Sequence, residues 1–311
     1  MSLPTFSVII PAHNRPDRLA ACLGALSALD YPRDRYEVIV VDDGSLRPLD
    51  TATRPFEAAL DLTLLRQENA GPASARNTGA EQARGRYLAF TDDDCEPTPA
   101  WLRVYAHSFE RTPQALVGGH VVNALPHNPY SEASQLLVSY LYAYADRRPS
   151  ARFFTSNNFA LSAEGFHDIG GFDPAFGLAA GEDRDFCDRW QRTGREMRFA
   201  PEAVVHHAHA LTLRTFMQQH LHYGRGAYFF HRFKAGRGGL GLRPDLSFYA
   251  GLFRFPFSQS SRARGAWLAS LLLLTQVSNA VGFFYAAFTR AWTERKRDGV
   301  ETTLSHPTAP P

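Results

Sequence analysis

Between residues 6 and 91 the chain alternates apolar, β-branched runs with stretches of helical period. "FSVIIPAHN" reads as a buried strand ending at Pro11, and "RPDRLAACLGALSAL" then places Leu19, Cys22, Leu23, Leu26 and Leu29 at helical spacing. "YEVIVVDDGS" and "LDLTLLRQ" read as further strands, "ASARNTGAEQAR" as a helix closed by Gly85, and "RYLAFTDDD" as a fourth strand. This alternation predicts βαβ units and an α/β fold: a doubly wound, Rossmann-like, mostly parallel sheet. Ligands of such sheets lie beyond the carboxyl ends of the strands. The acids of "VVDDGS" and "FTDDDC" both fall there, so two strands are expected to point carboxylates into one crevice.

Beyond Trp101 the pattern predicts a strand in "LVGGHVVNA", a helix in "SEASQLLVSYLYAYA", and a strand, short helix and Gly-Gly turn in "FFTSNNFALSAEGFHDIGGFDPAF". "GEDRDFCDRWQRTG" opens a helix with acids in its first turn, where the helix dipole favours them, and ends it at Gly194. "EMRFAPEAVVHHAHA" is a last strand. The first unit is therefore placed at residues 1–210. Residues 211–300 form a basic, aromatic helical region with a break expected at Gly224, and 301–311 a disordered tail.

Hydrophobic residues at 44% and charged residues at 21% of 311 mark a folded chain, and a net charge of +2 gives no argument for a nucleic-acid partner. Three widely spaced cysteines, Cys22, Cys95 and Cys187, offer no disulfide framework and no cysteine-based zinc site, which favours a reduced, cytoplasmic setting. Acids around Cys95 should raise its pKa and disqualify it as a nucleophile. The opening "MSLPTFSVIIPAHNRP" lacks the basic start and long apolar run of a signal peptide.

Asp92, Asp93 and Asp94 stand in a row. Carboxylates one residue apart can chelate a hard divalent cation from a turn, and such a cation neutralises a diphosphate leaving group. The same acids would also suit a capped turn before "EPTPAWL". Asp42 and Asp43 can accept hydrogen bonds from a base or ribose, or simply shape a turn with Gly44 at positive φ. Gly71 permits close backbone approach, and Arg76 and Asn77 stand early in a helix where phosphate can bind; a solvated helix would carry the same residues. Glu182 and Asp183 open a helix. A hydroxyl attacking a glycosyl carbon must lose its proton, and a carboxylate within reach can take it; the plain alternative is an N-terminal acid cluster. Arg189, two turns on from Glu182, can fix an acceptor or phosphate. His207 and His209 share one strand face and can complete a metal site, touch phosphate, or form a surface histidine cluster.

As a set, "SVIIPAHNRPDRL", "EVIVVDDGS", "NAGPASARNTGAEQARGRYLAFTDDD", "IGGFDPAF" and "GED" resemble glycosyltransferase family 2, with the GT-A fold, over residues 5 to 210. The resemblance implies an inverting transferase that uses a nucleotide-diphospho-sugar and a divalent metal, Mn2+ or Mg2+. It implies that Pro11, Ala12, Asn14 and Arg15 line the nucleotide pocket together with Asp43, Gly71, Arg76 and Asn77, and that Asp42 recognises the base. Asp92 and Asp94 take the D-x-D positions: Asp94 is the direct metal ligand, and Asp92 or Asp93 turns towards the ribose or sugar. Asp183, beside Glu182, falls on the acid of the E-D motif, the proposed base. His207 falls where some relatives supply a metal ligand, and Asn158, Arg189 and Trp190 are assigned to the acceptor or a phosphate. Processive synthases carry Q-x-x-R-W after the E-D pair; here "CDRWQRTG" keeps Arg189 and Trp190 but lacks the glutamine, which argues for single-sugar addition.

From Gly265 to Thr289 no residue is charged, a run long enough to span a bilayer, dock on one, or form a core helix. Gln276, Ser278 and Asn279 would be costly against lipid. Trp267, Tyr285 and Trp292 are placed as interfacial anchors, Arg264 and Arg290 bracket the run, and basic aromatic segments precede it. The expectation is attachment to the cytoplasmic face of a membrane and a glycan or lipid-linked acceptor, as in cell-surface polysaccharide synthesis. A sugar nucleotidyltransferase could share the sheet and paired acids, but would need a glycine-rich loop after the first strand, which "PAHNRPDRL" lacks. A non-catalytic nucleotide-sugar module also stays open.

Overall fold

The computed structural model describes residues 3–146, 152–176, 180–238 and 245–304. Strand β1 (Phe6–Ala12) lies at the centre of one half of the sheet. Helix α1 (Pro16–Ser27) leads to β2 (Tyr36–Asp43), the short α2 (Asp50–Thr53) to β3 (Leu62–Gln67), and α3 (Pro72–Glu81) to β4 (Tyr87–Thr91). Strands covered on both faces read as unbroken apolar runs, and β1, β2 and β4 are buried at every position. A short β5 (Cys95–Pro97), not foreseen from the sequence, precedes α4 (Trp101–Arg111) and β6 (Leu116–Asn123). Then come α5 (Pro129–Asp146), β7 (Asn158–Ser162), α6 (Ala163–Asp168), α7 (Glu182–Arg192) and β8 (Met197–His207).

Among the described residues the sheet has eight strands in the order β3–β2–β1–β4–β7–β6–β8–β5. Pairing is parallel across β3–β2–β1–β4 and between β6 and β8, and antiparallel where β7 meets β4 and β6 and where β5 meets β8. Alternate side chains fill two cores. Val8, Ile10, Leu19, Leu23, Trp101 and Tyr105 share one; Ile9, Phe90, Phe159, Phe172, Phe186 and Trp190 share the other. The second core fixes α7 through Phe186, whose ring lies 4.8 Å from that of Phe172.

Helix α3 ends at Glu81 rather than at Gly85. The backbone N–H groups of Arg84 and Gly85 donate instead to Glu37 and Ser7, leading the chain into β4. Beyond β8 the described residues form three helices, α8 (Leu213–Gly236), α9 (Leu246–Gln259) and α10 (Arg262–Leu304), with α8 and α9 packed along α10. Residues 301–304 continue α10 instead of starting a disordered tail; 305–311 and the side chains of Arg290 and Trp292 lie outside the described residues.

The break expected at Gly224 is absent, because α8 is continuous there. Its glycines serve close approach. A Cβ on Gly224 would fall 1.9 Å from the carbonyl oxygen of Asn279 on α10. One on Gly226 would fall 1.3 Å from that of Ala180, just ahead of α7. Helix α8 thus clamps α10 on one side and the start of α7 on the other. Gly226→Ala must displace backbone and is expected to destabilise by about 1–3 kcal/mol. Gly236→Ala, whose Cβ meets nothing within 4 Å, is expected to be neutral or stabilising by up to about 1 kcal/mol. Urea denaturation of both variants checks the contrast.

Candidate active site

A cleft of about 1290 Å³ opens at the carboxyl ends of β1, β2 and β4 and continues between α5 and the C-terminal helices. Its sheet end is lined by Pro11, Ala12, His13, Arg15, Asp43, Gly71, Arg76, Asp92, Asp94 and His207, and its wall by Glu182 and Asp183. The crevice expected from two acid-ending strands is therefore present, with an acidic third wall supplied by α7.

Parallel pairing sets Ala12 opposite Asp42. Successive residues point to opposite faces of a strand, so Asp42 and Asp43 part company. Asp43 lines the cleft and builds the next turn: its oxygens accept from Ala70 N, Gly71 N and Gln67 Nε2, each at 2.8 or 2.9 Å. Gly71, at φ 88°, then starts α3. Asp42, assigned to base recognition, is buried outside the cleft lining, where it accepts from Ser45 N and pairs with Arg66 at 2.9 Å.

The acidic triplet divides likewise. Asp92 accepts from Arg76 Nη2 at 2.7 Å. Asp93 is fully buried behind the cleft lining against Arg15, and burial pushes its pKa up to about 7 in spite of that cation. Asp94 is held by both ends of the strand geometry: β5 pairs with β8 so that Cys95 faces His207, which brings Asp94 Oδ1 to 3.3 Å from His207 Nε2. Arg15 Nη1 takes its other oxygen at 2.6 Å. Burial would raise the Asp94 pKa, but the hydrogen bond and charge of His207, then Arg15, hold it well below the usual carboxylate range. For His207 burial is outweighed by Asp94, and the pKa is raised. The ring of His209 lies tilted beside that of His207, with ring centroids 5.0 Å apart; burial and the charge of His207 press its pKa down to about 4.

Asp94 Oδ1, His207 Nε2 and Cys95 Sγ lie within 4.8 Å of one another. A carboxylate and an imidazole, with Asp92 also on the cleft, fit a divalent cation. Cys95 does not extend that set to a thiolate, since burial and then Asp94 raise its pKa well above normal. All three cysteines are free and buried.

Arg76 joins the acidic walls. With 3% of its side chain exposed, it reaches Asp92 at 2.7 Å and Glu182 at 3.1 Å. Burial, then Asp183, raises the pKa of Glu182 against the pull of Arg76; burial also raises that of Asp183, against Arg184. Asp183 reaches the cleft with Oδ1 held by the N–H of Arg184 at 2.7 Å.

Five more residues assigned from the sequence lie, like Asp42 and Asp93, away from the cleft lining. Asn14, with φ 55°, shapes the turn after β1 by accepting from Leu46 N. Asn77 exchanges two hydrogen bonds with the backbone of Phe172. Asn158 is fully buried, donating to the carbonyls of His120 and Ala203 and accepting from Trp101 and Tyr105. Arg189 is spent on Asp185 and the carbonyls of Ile169 and Gly171. Trp190 is a core residue whose Nε1 donates to Glu196 O. None of the five lines the cleft. The sequence reading also missed His13, Asn157, Arg184 and Tyr223, which do line it. Arg184 looked like one more charge in a polar helical turn, and only the course of α8 reveals that it faces a cleft.

A curled, mixed α/β sheet with paired acids along a cleft at its carboxyl edge is the architecture of a GT-A glycosyltransferase. The model for "Glycosyl transferase family 2" matches residues 7–170, and that for "N-terminal domain of galactosyltransferase" matches residues 137–211. The chain is 32% identical over 209 residues to Glycosyltransferase AglE of Haloferax volcanii, covering 66% of this chain and 67% of that one. It is 30% identical over 227 residues to the Pre-mycofactocin glycosyltransferase of Mycobacterium tuberculosis, spanning 71% of this chain but 46% of that protein. Among solved structures, the mannosyltransferase PcManGT from Pyrobaculum calidifontis in complex with GDP-Man and Mn2+ shares the fold at a TM-score of 0.63 and 22% identity, covering 94% of this chain and 88% of that one. S. aureus TarS 1-349 in complex with UDP-GlcNAc does so at 0.53 and 18%, covering 93% and 92%. The chain belongs to glycosyltransferase family 2.

Removing Arg76 strands Glu182 as a buried, unpaired acid. Arg76→Met is expected to cost about 3–5 kcal/mol near neutral pH. Glu182 already has a raised folded pKa, so its protonated form is the one the fold tolerates. Below that pKa it takes up a proton and the cost falls. Thermal unfolding from about pH 8 to about pH 6 should therefore show the gap to the unsubstituted protein narrowing.

Proposed function

We propose that the protein transfers a sugar from a nucleotide-diphospho-sugar to an acceptor hydroxyl with inversion at the anomeric carbon, at the surface of a membrane. The observation that carries this reading is the convergence in one cleft of Asp92, Asp94 and His207 at one end and Asp183 at the other, with Arg76 joining Asp92 to Glu182, the neighbour of Asp183. The turn after β1 is formed by His13, Asn14 and Arg15 and carries no glycine-rich loop, which disfavours nucleotidyl transfer.

Asp94 and His207, with Asp92 nearby, would hold Mn2+ or Mg2+, and the bound ion supplies charge neutralisation for the departing diphosphate. Pro11, Ala12, Asp43 and Gly71 provide a backbone-rich floor for the nucleoside. Asp183 takes the proton of the acceptor hydroxyl. The hydroxyl oxygen forms its bond to the anomeric carbon as the bond from that carbon to the diphosphate oxygen breaks, and the nucleoside diphosphate leaves. The raised pKa of Asp183 makes it a stronger base than a solvated aspartate.

A thermal-shift screen of nucleotide-sugars with and without Mn2+ tests the donor half: metal-dependent stabilisation by a donor is expected, and no response to any of them would sink the reading. Asp183→Asn should retain donor binding and lose about 10²–10⁴-fold in turnover. Because a carboxylate with a raised pKa must ionise to act, the rate of the unsubstituted enzyme should fall with acidification from a point above the ordinary carboxylate value of about 4.

Helix α10 is long and apolar enough to cross a membrane over Arg262–Thr289. Its residues sort by side. Trp267, Leu273, Val281, Tyr285 and Phe288 point outward and are more than half exposed, while Ser278 is buried and Gln276 and Asn279 line the cleft. The polar groups that would be costly against lipid are the ones turned inward. A helix apolar on its outward side suits attachment to a bilayer, and the free cysteines suit its cytoplasmic face. Val281→Glu with Phe288→Glu should shift the protein from vesicle pellet to supernatant in a co-sedimentation assay without lowering its melting temperature. Unchanged vesicle binding would refute membrane docking through this side.

A further inference from the structure

The cleft continues beyond the acidic residues, and its far half has its own chemistry. Between α5 and the C-terminal helices it is walled by Leu137, Val138, Leu141, Phe248, Val277 and Phe283. At the junction of this apolar half with the acidic half stands Arg184. Its guanidinium lies over the ring of Phe153, 4.8 Å from the centroid. No carboxylate comes within ion-pair distance of it among the described residues, although Arg15, Arg76, Arg189, Arg192 and Arg237 each hold one.

Three features make this cation unusual. It occupies the first turn of α7, where the helix dipole disfavours positive charge, so dipole and guanidinium add up to an attraction for an anion. Burial lowers its pKa, a cost that an anionic ligand would relieve. The ionisable groups that act on it are Asp183 and Tyr223, whereas Asp92 and Asp94 act on Arg15. Arg184 thus belongs to the base side of the cleft and not to the metal side.

Unsatisfied polar groups line the same space. Among the described residues Asn157, 8% exposed, has no partner for Oδ1, and neither does Gln219 Oε1 or Asn279 Oδ1. The Tyr223 hydroxyl accepts from Gln219 Nε2 at 2.7 Å, which leaves its own proton for a ligand oxygen. Amide oxygens suit hydroxyl donors; a guanidinium and a phenol suit a phosphate.

We infer that the far half of the cleft is the acceptor site and that it binds a membrane lipid phosphate ester, with the phosphate on Arg184 and Tyr223, the hydrocarbon chain between α5 and α10, and the hydroxyl-bearing part directed to Asp183. This rests on the transferase reading above and names its acceptor class. The exposed outer side of α10 continues to the mouth of this groove at Phe284, which both lines the cleft and is 69% exposed, so the chain has an apolar path from the bilayer.

The experiment measures binding, by the full-length protein in detergent, of farnesyl phosphate, farnesol, inorganic phosphate, and UDP and GDP with Mn2+. Farnesyl phosphate should bind best, farnesol more weakly and inorganic phosphate more weakly still. Arg184→Gln should weaken farnesyl phosphate by about tenfold to a hundredfold, leave farnesol unchanged and leave the nucleotides unchanged; Arg184→Lys should recover part of the loss. Tyr223→Phe should weaken farnesyl phosphate less, and it gives a second reading if the Arg184 variants lower the melting temperature. Equal farnesyl phosphate binding with and without Arg184 overturns the proposal. So does an equal loss for UDP or GDP, which would make Arg184 a donor residue, and so does tight binding of inorganic phosphate alone. Nucleotide binding without farnesyl phosphate binding removes this acceptor and leaves the transferase; absence of nucleotide binding removes the transferase itself.

Discussion

Arg76 is the joint on which the site depends. A guanidinium buried to 3% exposure between Asp92 and Glu182 ties the carboxyl end of β4 to the first turn of α7, segments far apart in sequence. Buried acids repel one another, and here Asp92, Glu182 and Asp183 all crowd one cleft. The planar fork of arginine can satisfy two carboxylates at once, which a lysine cannot do in the same geometry. The cation sets the spacing between the acids proposed for the metal side and the acid proposed as base, and so the space left for a sugar between them.

The second constraint is backbone proximity. Helix α8 approaches both α10 and the Ala180–Gly181 turn closely enough that glycine is the residue that fits at 224 and 226. The C-terminal helices are thereby more than an appendage: they finish the wall of the cleft opposite α7. The cores on either side of the sheet hold the strands, Phe186 holds α7 to one of them, and α8 holds the turn from which α7 starts.

Much of this was legible in the sequence, for identifiable reasons. Buried parallel strands write themselves as apolar runs, and their acidic ends mark the crevice, so β1, β2, β4 and the positions of Asp43, Asp92 and Asp94 could be read directly. The failures have physical causes too. Asp42 and Asp43 look alike in a string, and only the pleat decides which one faces the ligand space. Arg189 and Trp190 matched a motif but are consumed by Asp185, two carbonyls and the aromatic core. Gly224 looks like a helix breaker because close packing against another helix leaves no mark in its neighbours. Arg184 was invisible because what marks it is that, among the described residues, no carboxylate lies within ion-pair distance of it. The pairing of β5 with β8, which sets His207 beside Asp94, joins segments over a hundred residues apart.

The sorting of residues around α10 has a kinetic consequence. One helix presents its apolar side outward and its amides to the cleft, so the proposed membrane anchor and the wall of the proposed acceptor site are the same element. A lipid-borne acceptor would then enter sideways, without leaving the bilayer. Its search for the enzyme becomes a two-dimensional diffusion problem, in which encounter depends on density per unit area of membrane and not on concentration in solution. A scarce lipid would reach Asp183 with its hydrocarbon chain never exposed to water.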